Sequence, residues 1–193
     1  LVNKALYVSI APITISRVAR VYAAALLISA SAVWAAELAP GKLLVATSES
    51  RDPDFARSVV LLIHYDRRGA VGVMLNRPSR IPISDLLPDA KGLGGFAWAG
   101  GPVAMGVLAV AELDKAPALG VRLFENVYAI TDRAGIGRAL RSRARIRVFA
   151  GNCGWTVDQL AGEIERRLWR IRPCTAALIF DADPATLWER LSR

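Results

Sequence analysis

The sequence predicts one α+β domain with a largely antiparallel sheet. Apolar runs of strand length dominate the first half of the chain and mix with helical patterns only in the second, which is not the regular alternation of a βαβ fold. Two such runs, Arg57–Tyr65 (RSVVLLIHY) and Ala70–Leu75 (AVGVML), flank a tight Asp66-Arg67-Arg68-Gly69 turn and read as a hairpin. A chain of 193 residues, 53% hydrophobic and 22% charged, has material for one core and too little for two domains.

The elements follow in order. Lys42–Ser48 reads as a strand, and the turn after it is punctuated by Asp52-Pro53. Arg57–Tyr65 contains a continuous apolar run rich in β-branched residues, and its length suits a strand buried on both faces. Pro78 ends the second hairpin strand because it has no N–H to donate. A helical turn is placed at Ser84–Leu87, a glycine-rich flexible piece at Lys91–Gly95, and an extended segment at Phe96–Ala99. Gly100-Gly101-Pro102 forces a sharp turn into a long strand, Val103–Leu113. Another strand is centred on Val127–Ile130. Asp132 caps a helix running to about Ser142, and Arg145–Ala150 alternates like a half-buried strand. Gly151–Trp155 reads as a loop, and Thr156 with Gln159 as a capping box. The helix behind it sets Leu160, Ile164 and Leu168 on one face and Glu163 against Arg167. Thr175–Phe180 reads as a strand, and Asp183-Pro184 opens a last short helix.

Positions 1–35 form a hydrophobic leader. Residues 21–36 are 16 apolar or small residues without charge, preceded by Arg17 and Arg20. A membrane span wants roughly 20 apolar residues. A signal peptide wants a positive start, about 7–15 apolar residues and a small-residue cleavage site. Val33-Trp34-Ala35 supplies that site, with Ala30-Ser31-Ala32 as the alternative. The expectation is therefore an exported protein. A membrane anchor is the second reading, and a cytosolic protein with a misassigned start is the third, since the chain opens on Leu1.

Chemistry is sparse. His64 is the only histidine, it lies within a strand, and no G-x-S-x-G elbow offers it a nucleophile. No phosphate-loop or dinucleotide fingerprint is present, and Cys153 and Cys174 match no metal spacing. The sequence thus indicates no catalytic residue, no cofactor and no metal. Asp52/Asp54 and Asp181/Asp183 are explained as turn and cap residues. The two cysteines read as free, partly buried thiols, or as one disulfide if the domain is exported. Cys153, near a helix start, is a candidate for a lowered thiol pKa.

Two surfaces stand out. Net charge is +8, and losing the leader leaves 22 basic against 17 acidic residues, a balance that favours an acidic protein or ligand. Arg143, Arg145 and Arg147 alternate and would share one strand face, either as a phosphate-neutralising stripe or as charge guarding an edge strand. The second surface consists of Asn76, Arg77, Gly100, Gly101, Gly151, Asn152 and Trp155, where backbone N–H groups could hold an anion and Trp155 could wall a pocket.

The segments Asp52–Pro78, Gly100–Val103, Gly151–Trp169 and Leu178–Leu191, in that order and spacing, resemble the AlgH/YqgE family of bacterial proteins. The resemblance covers residues 41–193. It implies a bent, barrel-like sheet and supplies no catalytic residues. Members have been named as transcriptional regulators. Against the family pattern this chain has Asn152-Cys153 for Tyr-Ala and Arg167 for Gly, and it carries the leader. The functional expectation is a non-enzymatic binding or regulatory protein using the loop surface. Its alternatives are a nucleic-acid-binding regulator using the arginine stripe, which requires a cytosolic protein, and an enzyme with an unrecognised site.

Overall fold

Strand β2 (Val59–Asp66) alternates between two hydrophobic clusters, and this explains why its sequence is apolar without a break. Val59, Leu61 and Ile63 point into one cluster, and Val60 and Leu62 into the other. The computed structural model describes residues 38–90 and 92–193. The expected leader, with its expected cleavage sites, lies outside the described residues, as does Lys91.

The remaining strands are β1 (Lys42–Ala46), β3 (Gly69–Met74), β4 (Pro78–Pro82), β5 (Phe96–Ala99), β6 (Val103–Glu112), β7 (Val121–Phe124), β8 (Val127–Ile130), β9 (Arg145–Trp155) and β10 (Trp169–Pro173). The helices are α1 (Ile83–Leu86), α2 (Arg133–Arg141), α3 (Val157–Glu165), α4 (Ala176–Ile179) and α5 (Leu187–Leu191). The strand order is β10-β1-β2-β3-β9-β6-β8-β7. β5 joins β9 in parallel and carries β4; the other pairings are antiparallel.

The sheet is curled into a half-barrel. Leu43 and Val45 from one end of the order and Leu123 and Val127 from the other lie in the same buried cluster as Val73, Val110 and Phe149. A flat sheet of this order would hold those strands far apart, since neighbours are spaced about 4.8 Å. At the seam, a Cβ on Gly41 (φ +86) would fall 2.7 Å from the Leu123 carbonyl oxygen, so the close approach requires glycine there. Ile179 of α4 and Leu187 of α5 are fully buried in this interior cluster. On the outer face α3 covers one half of the sheet with Leu160 and Ile164, and α2 covers the other with Ile136 and Ala139.

Several expected elements are redrawn. Gly151–Trp155 is not a loop but the second half of β9, paired with β3 through Cys153, Gly154 and Trp155. Where one strand centred on Val127–Ile130 is expected, there are two, β7 and β8, joined at Glu125-Asn126. Pro78 ends β3's run but then opens β4, where a first position and an edge both tolerate proline. Thr175–Phe180 forms helix α4, because the Thr175 hydroxyl caps the Leu178 N–H and the edge of β1 is already taken by β10. Strand β10 has no counterpart among the elements expected from sequence. Its WRIRP alternation sends Trp169 and Ile171 toward the α3 side and leaves Arg170 and Arg172 to bond the carbonyls of Ser192 and Arg193.

The capping box is half made. Thr156 accepts from the Gln159 N–H, but the Gln159 side chain donates to Glu163. Glu163 accepts from Trp155 and Trp169 rather than from the expected Arg167. Arg167 follows α3 with φ +59. Its N–H reaches the Ile164 carbonyl at 2.8 Å, and that of Leu168 reaches Glu163 at 2.9 Å, the paired bonds of a Schellman cap. The left-handed position explains why glycine stands there in the resembled family. Arg167→Gly should therefore raise stability by about 0.5–1 kcal/mol, seen as a higher urea midpoint with an unchanged slope.

Candidate functional site

The two glycine segments singled out in the sequence meet. β5 runs parallel to β9 through Trp98–Phe149 and Ala99–Ala150, so the next residues, Gly100 and Gly101, are carried alongside Gly151 and Asn152. The Gly100 N–H donates to the Ala150 carbonyl (2.8 Å), and the Gly100 carbonyl accepts from the Met74 N–H (2.9 Å) and from the Cys153 thiol (3.4 Å). A Cβ on Gly100 would overlap the Gly151 carbonyl oxygen, and one on Gly101 would fall 2.5 Å from the Cys153 sulfur. Glycine is demanded here by approach of backbone to backbone.

Beyond the crossing β6 leaves the ladder. Its register with β9 jumps from Val103–Asn152 to Val107–Ala150, and Gly106 in the bulge has φ +89. Val103 is 43% exposed. Between this bulged strand and α1 lies a cleft of about 460 Å³. Gly101, Gly151 and Ala104 are among its small lining residues, Ile81 and Leu86 give it apolar walls, and Asp85 and Arg133 supply its charges. Arg133, at the first position of α2, donates to the Leu86 carbonyl at 3.2 Å.

The other residues expected on the loop surface serve the fold. Asn76 is only 7% exposed; its amide accepts from the Val59 N–H (3.0 Å) and donates to the Arg57 carbonyl (2.8 Å). Arg77 donates to the Ala56 carbonyl, so the pair staples the 52–58 turn and the start of β2 to the chain that leaves β3. Trp155, 5% exposed, does not line this cleft: it packs with Phe55 and Trp169, ring centroids 5.5 and 5.9 Å away, and donates to Glu163. The backbone of Cys153–Trp155 is paired with β3 rather than open to an anion.

The arginines do not form one stripe. Arg143 precedes β9 in a turn at φ +59. Arg145 pairs with Glu112 (3.0 Å) and lies over the Phe180 ring. Arg147, 7% exposed, lies 3.8 Å over the Trp98 ring and donates to the carbonyls of Leu75 and Asp181. Burial pushes its pKa down to about 10, against the opposing pull of Asp181, so it stays charged at neutral pH. The strand is central, which also removes the edge-guarding explanation. Arg143 and Arg145, with Lys115, do line a separate cleft of about 720 Å³ at the far ends of β6 and β8.

Neither thiol is activated. Burial pushes Cys153 and Cys174 up to about 12, and both are free. His64 sits near the turn end of the first hairpin, opposite Val71, 3.2 Å from Asp66 and partly exposed. Among the described residues no cluster of side chains suited to a metal ion occurs.

Ile81, Asp85, Ala104 and Arg133 were not expected from sequence. They come from four separate elements and share no spacing; only the fold brings them to one cleft.

Residues 43–193 match the AlgH-like family profile. A UPF0301 protein of Thermobifida fusca is 37% identical over 172 residues, covering 79% of this chain and 85% of that protein. One from Streptomyces avermitilis is 35% identical over 164 residues, covering 79% and 84%. The crystal structure of a Corynebacterium diphtheriae protein superposes with a TM-score of 0.67 at 24% identity, covering 80% of this chain and 85% of that one. The solution structure of the AlgH protein from Pseudomonas aeruginosa does so with 0.66 at 23%, covering 79% and 85%. At these identities the two structures speak for the fold.

The crossing and the tryptophan pair can be tested separately. Gly100→Ala should cost about 3 kcal/mol or more, because its methyl meets backbone that cannot swing away. Glu163→Ala should cost about 2–3 kcal/mol, since it strips two largely buried indole N–H groups of a charged acceptor. Denaturant titration followed by tryptophan fluorescence reads both.

Proposed function

We propose a function on the premise that this chain belongs to the AlgH-like family: it is a non-enzymatic binding protein that takes its ligand in the cleft beside the Gly101–Gly151 crossing. The observation that supports this is the meeting of two glycine segments, fifty residues apart in sequence, at a cleft of about 460 Å³. That volume lies within the range of small-ligand sites, about 300–1,000 Å³. The cleft offers apolar walls and a few polar groups, as such sites do. The non-enzymatic reading is supported by the scatter of reactive groups. Cys153 is buried with its proton held, and His64 lies at a hairpin end, away from both clefts.

Ala104 is exposed and lines the cleft, so Ala104→Trp fills it without touching the core. In a thermal-shift screen of polar metabolites, ligands of this site should raise the melting temperature of the parent protein by about 2–4 °C and leave the filled variant unmoved. Hits that stabilise both equally would reject the cleft as the site.

A second reading, a nucleic-acid-binding regulator, rests on Arg143, Arg145 and Lys115 around the larger cleft. It needs a cytosolic protein, whereas we read the leader as an export signal. N-terminal sequencing of the protein from fractionated cells decides between them. If the second reading holds, replacing Arg143 and Arg145 with Ala should lower the salt slope of DNA binding by about one for each phosphate no longer neutralised. An unchanged slope would exclude it.

A further inference from the structure

We infer that the cleft beside the Gly101–Gly151 crossing, read above as a ligand site, takes a small apolar zwitterion, an amino acid or a dipeptide, with its ammonium group on Asp85 and its carboxylate on Arg133. This ligand class rests on that reading of the cleft.

Charge selects the ligand class. Asp85 and Arg133 are the two charged side chains in the lining, one of each sign. They come from neighbouring elements, α1 and the first position of α2. Among the described residues they do not pair with each other. Asp85 is met by the Ser84 hydroxyl at 3.4 Å, and one guanidinium nitrogen of Arg133 donates to the Leu86 carbonyl. A guanidinium has five N–H donors in a planar fork, so its pairing capacity toward a carboxylate is far from exhausted.

The rest of the lining is neutral. Ile81, Leu86 and Val107 are aliphatic, and the other positions are glycine or alanine. A simple anion drawn to Arg133 would meet Asp85 beside it, and a simple cation drawn to Asp85 would meet Arg133. A ligand carrying both charges on an apolar body satisfies both side chains and buries its hydrocarbon against Ile81 and Val107. The cleft volume of about 460 Å³ accommodates either an amino acid or a dipeptide.

Isothermal titration of the full chain with L-leucine and with leucyl-leucine tests the idea and separates the two sources. At least one of them should bind. N-acetyl-leucine lacks the ammonium group and leucinamide lacks the carboxylate, so each should bind about tenfold more weakly than leucine or worse. The variants should show a crossed pattern. Asp85→Asn should weaken leucine and leucinamide about tenfold and spare N-acetyl-leucine, whereas Arg133→Gln should weaken leucine and N-acetyl-leucine and spare leucinamide. Both side chains are exposed, and unchanged melting curves will show that the variants fold. Absence of heat with both leucine and leucyl-leucine, or affinities unchanged in both variants, would overturn the inference. If Ala104→Trp abolishes other screen hits while neither zwitterion binds, the zwitterion falls and the binding-cleft reading stands. Hits untouched by Ala104→Trp sink both.

Discussion

The close backbone crossing of Gly100–Gly101 over Gly151–Asn152 is the constraint on which the rest of the architecture depends. β9 pairs with three strands: its first half lies between β6 and β5, and its second half runs against β3. One strand can change neighbours in this way only if the departing chain passes close to it. Here the departing chain has no Cβ. The Gly100 carbonyl then accepts from both Met74 and Cys153, tying β3, β5 and β9 at a single oxygen. The curl of the sheet, the shared interior cluster and the bulged start of β6 all depend on that junction.

The electrostatics follow from where the curl places each arginine. Alternation along β9 sends Arg147 to the interior end of the barrel, where the Trp98 face and two carbonyls compensate its burial. Its contact with the Asp181 carbonyl links the strand to the C-terminal helices. Asp181 is in turn held by Arg190, whose hydrogen bond is the main cause of its lowered pKa. A carboxylate lowered in the folded state contributes fully above its unfolded value of about 4 and loses that contribution as pH falls through the folded value. The α4–α5 cap is thereby tied to the barrel by the Arg147 bond to the Asp181 carbonyl, as well as by Leu187 and the Trp188 bond to the Ala46 carbonyl.

The candidate site sits where regular pairing stops. β6 bulges, β5 ends and α1 turns away, and the gap between them is lined by small residues and two opposite charges. Family membership covers the whole of this domain and agrees with the curled sheet, while the use of the cleft is a chemical proposal drawn from its lining.

Much of the fold was legible in local pattern. The unbroken β-branched run at β2, the Asp132 and Thr156 caps, and the turn at Asp66–Gly69 each rest on interactions within a few residues, and the structure has them where the sequence places them. The failures share a cause. TAALIF and GNCGW have ambiguous local preferences, and their states were set by which edges were free: β1 was already paired by β10, and β3 still needed a partner. For the site, sequence pointed to Gly101 through the Gly100-Gly101-Pro102 turn and to Gly151 through the Gly151–Trp155 segment. It could not reach Ile81, Asp85, Ala104 or Arg133, which lie on separate elements and become neighbours only when the sheet closes. By itself, then, the sequence determined the α+β class, the caps, the main hairpin and the glycines. The tertiary structure decided which arginines are buried, which thiols are inert and where a cleft opens, because those outcomes depend on contacts between residues far apart in the chain.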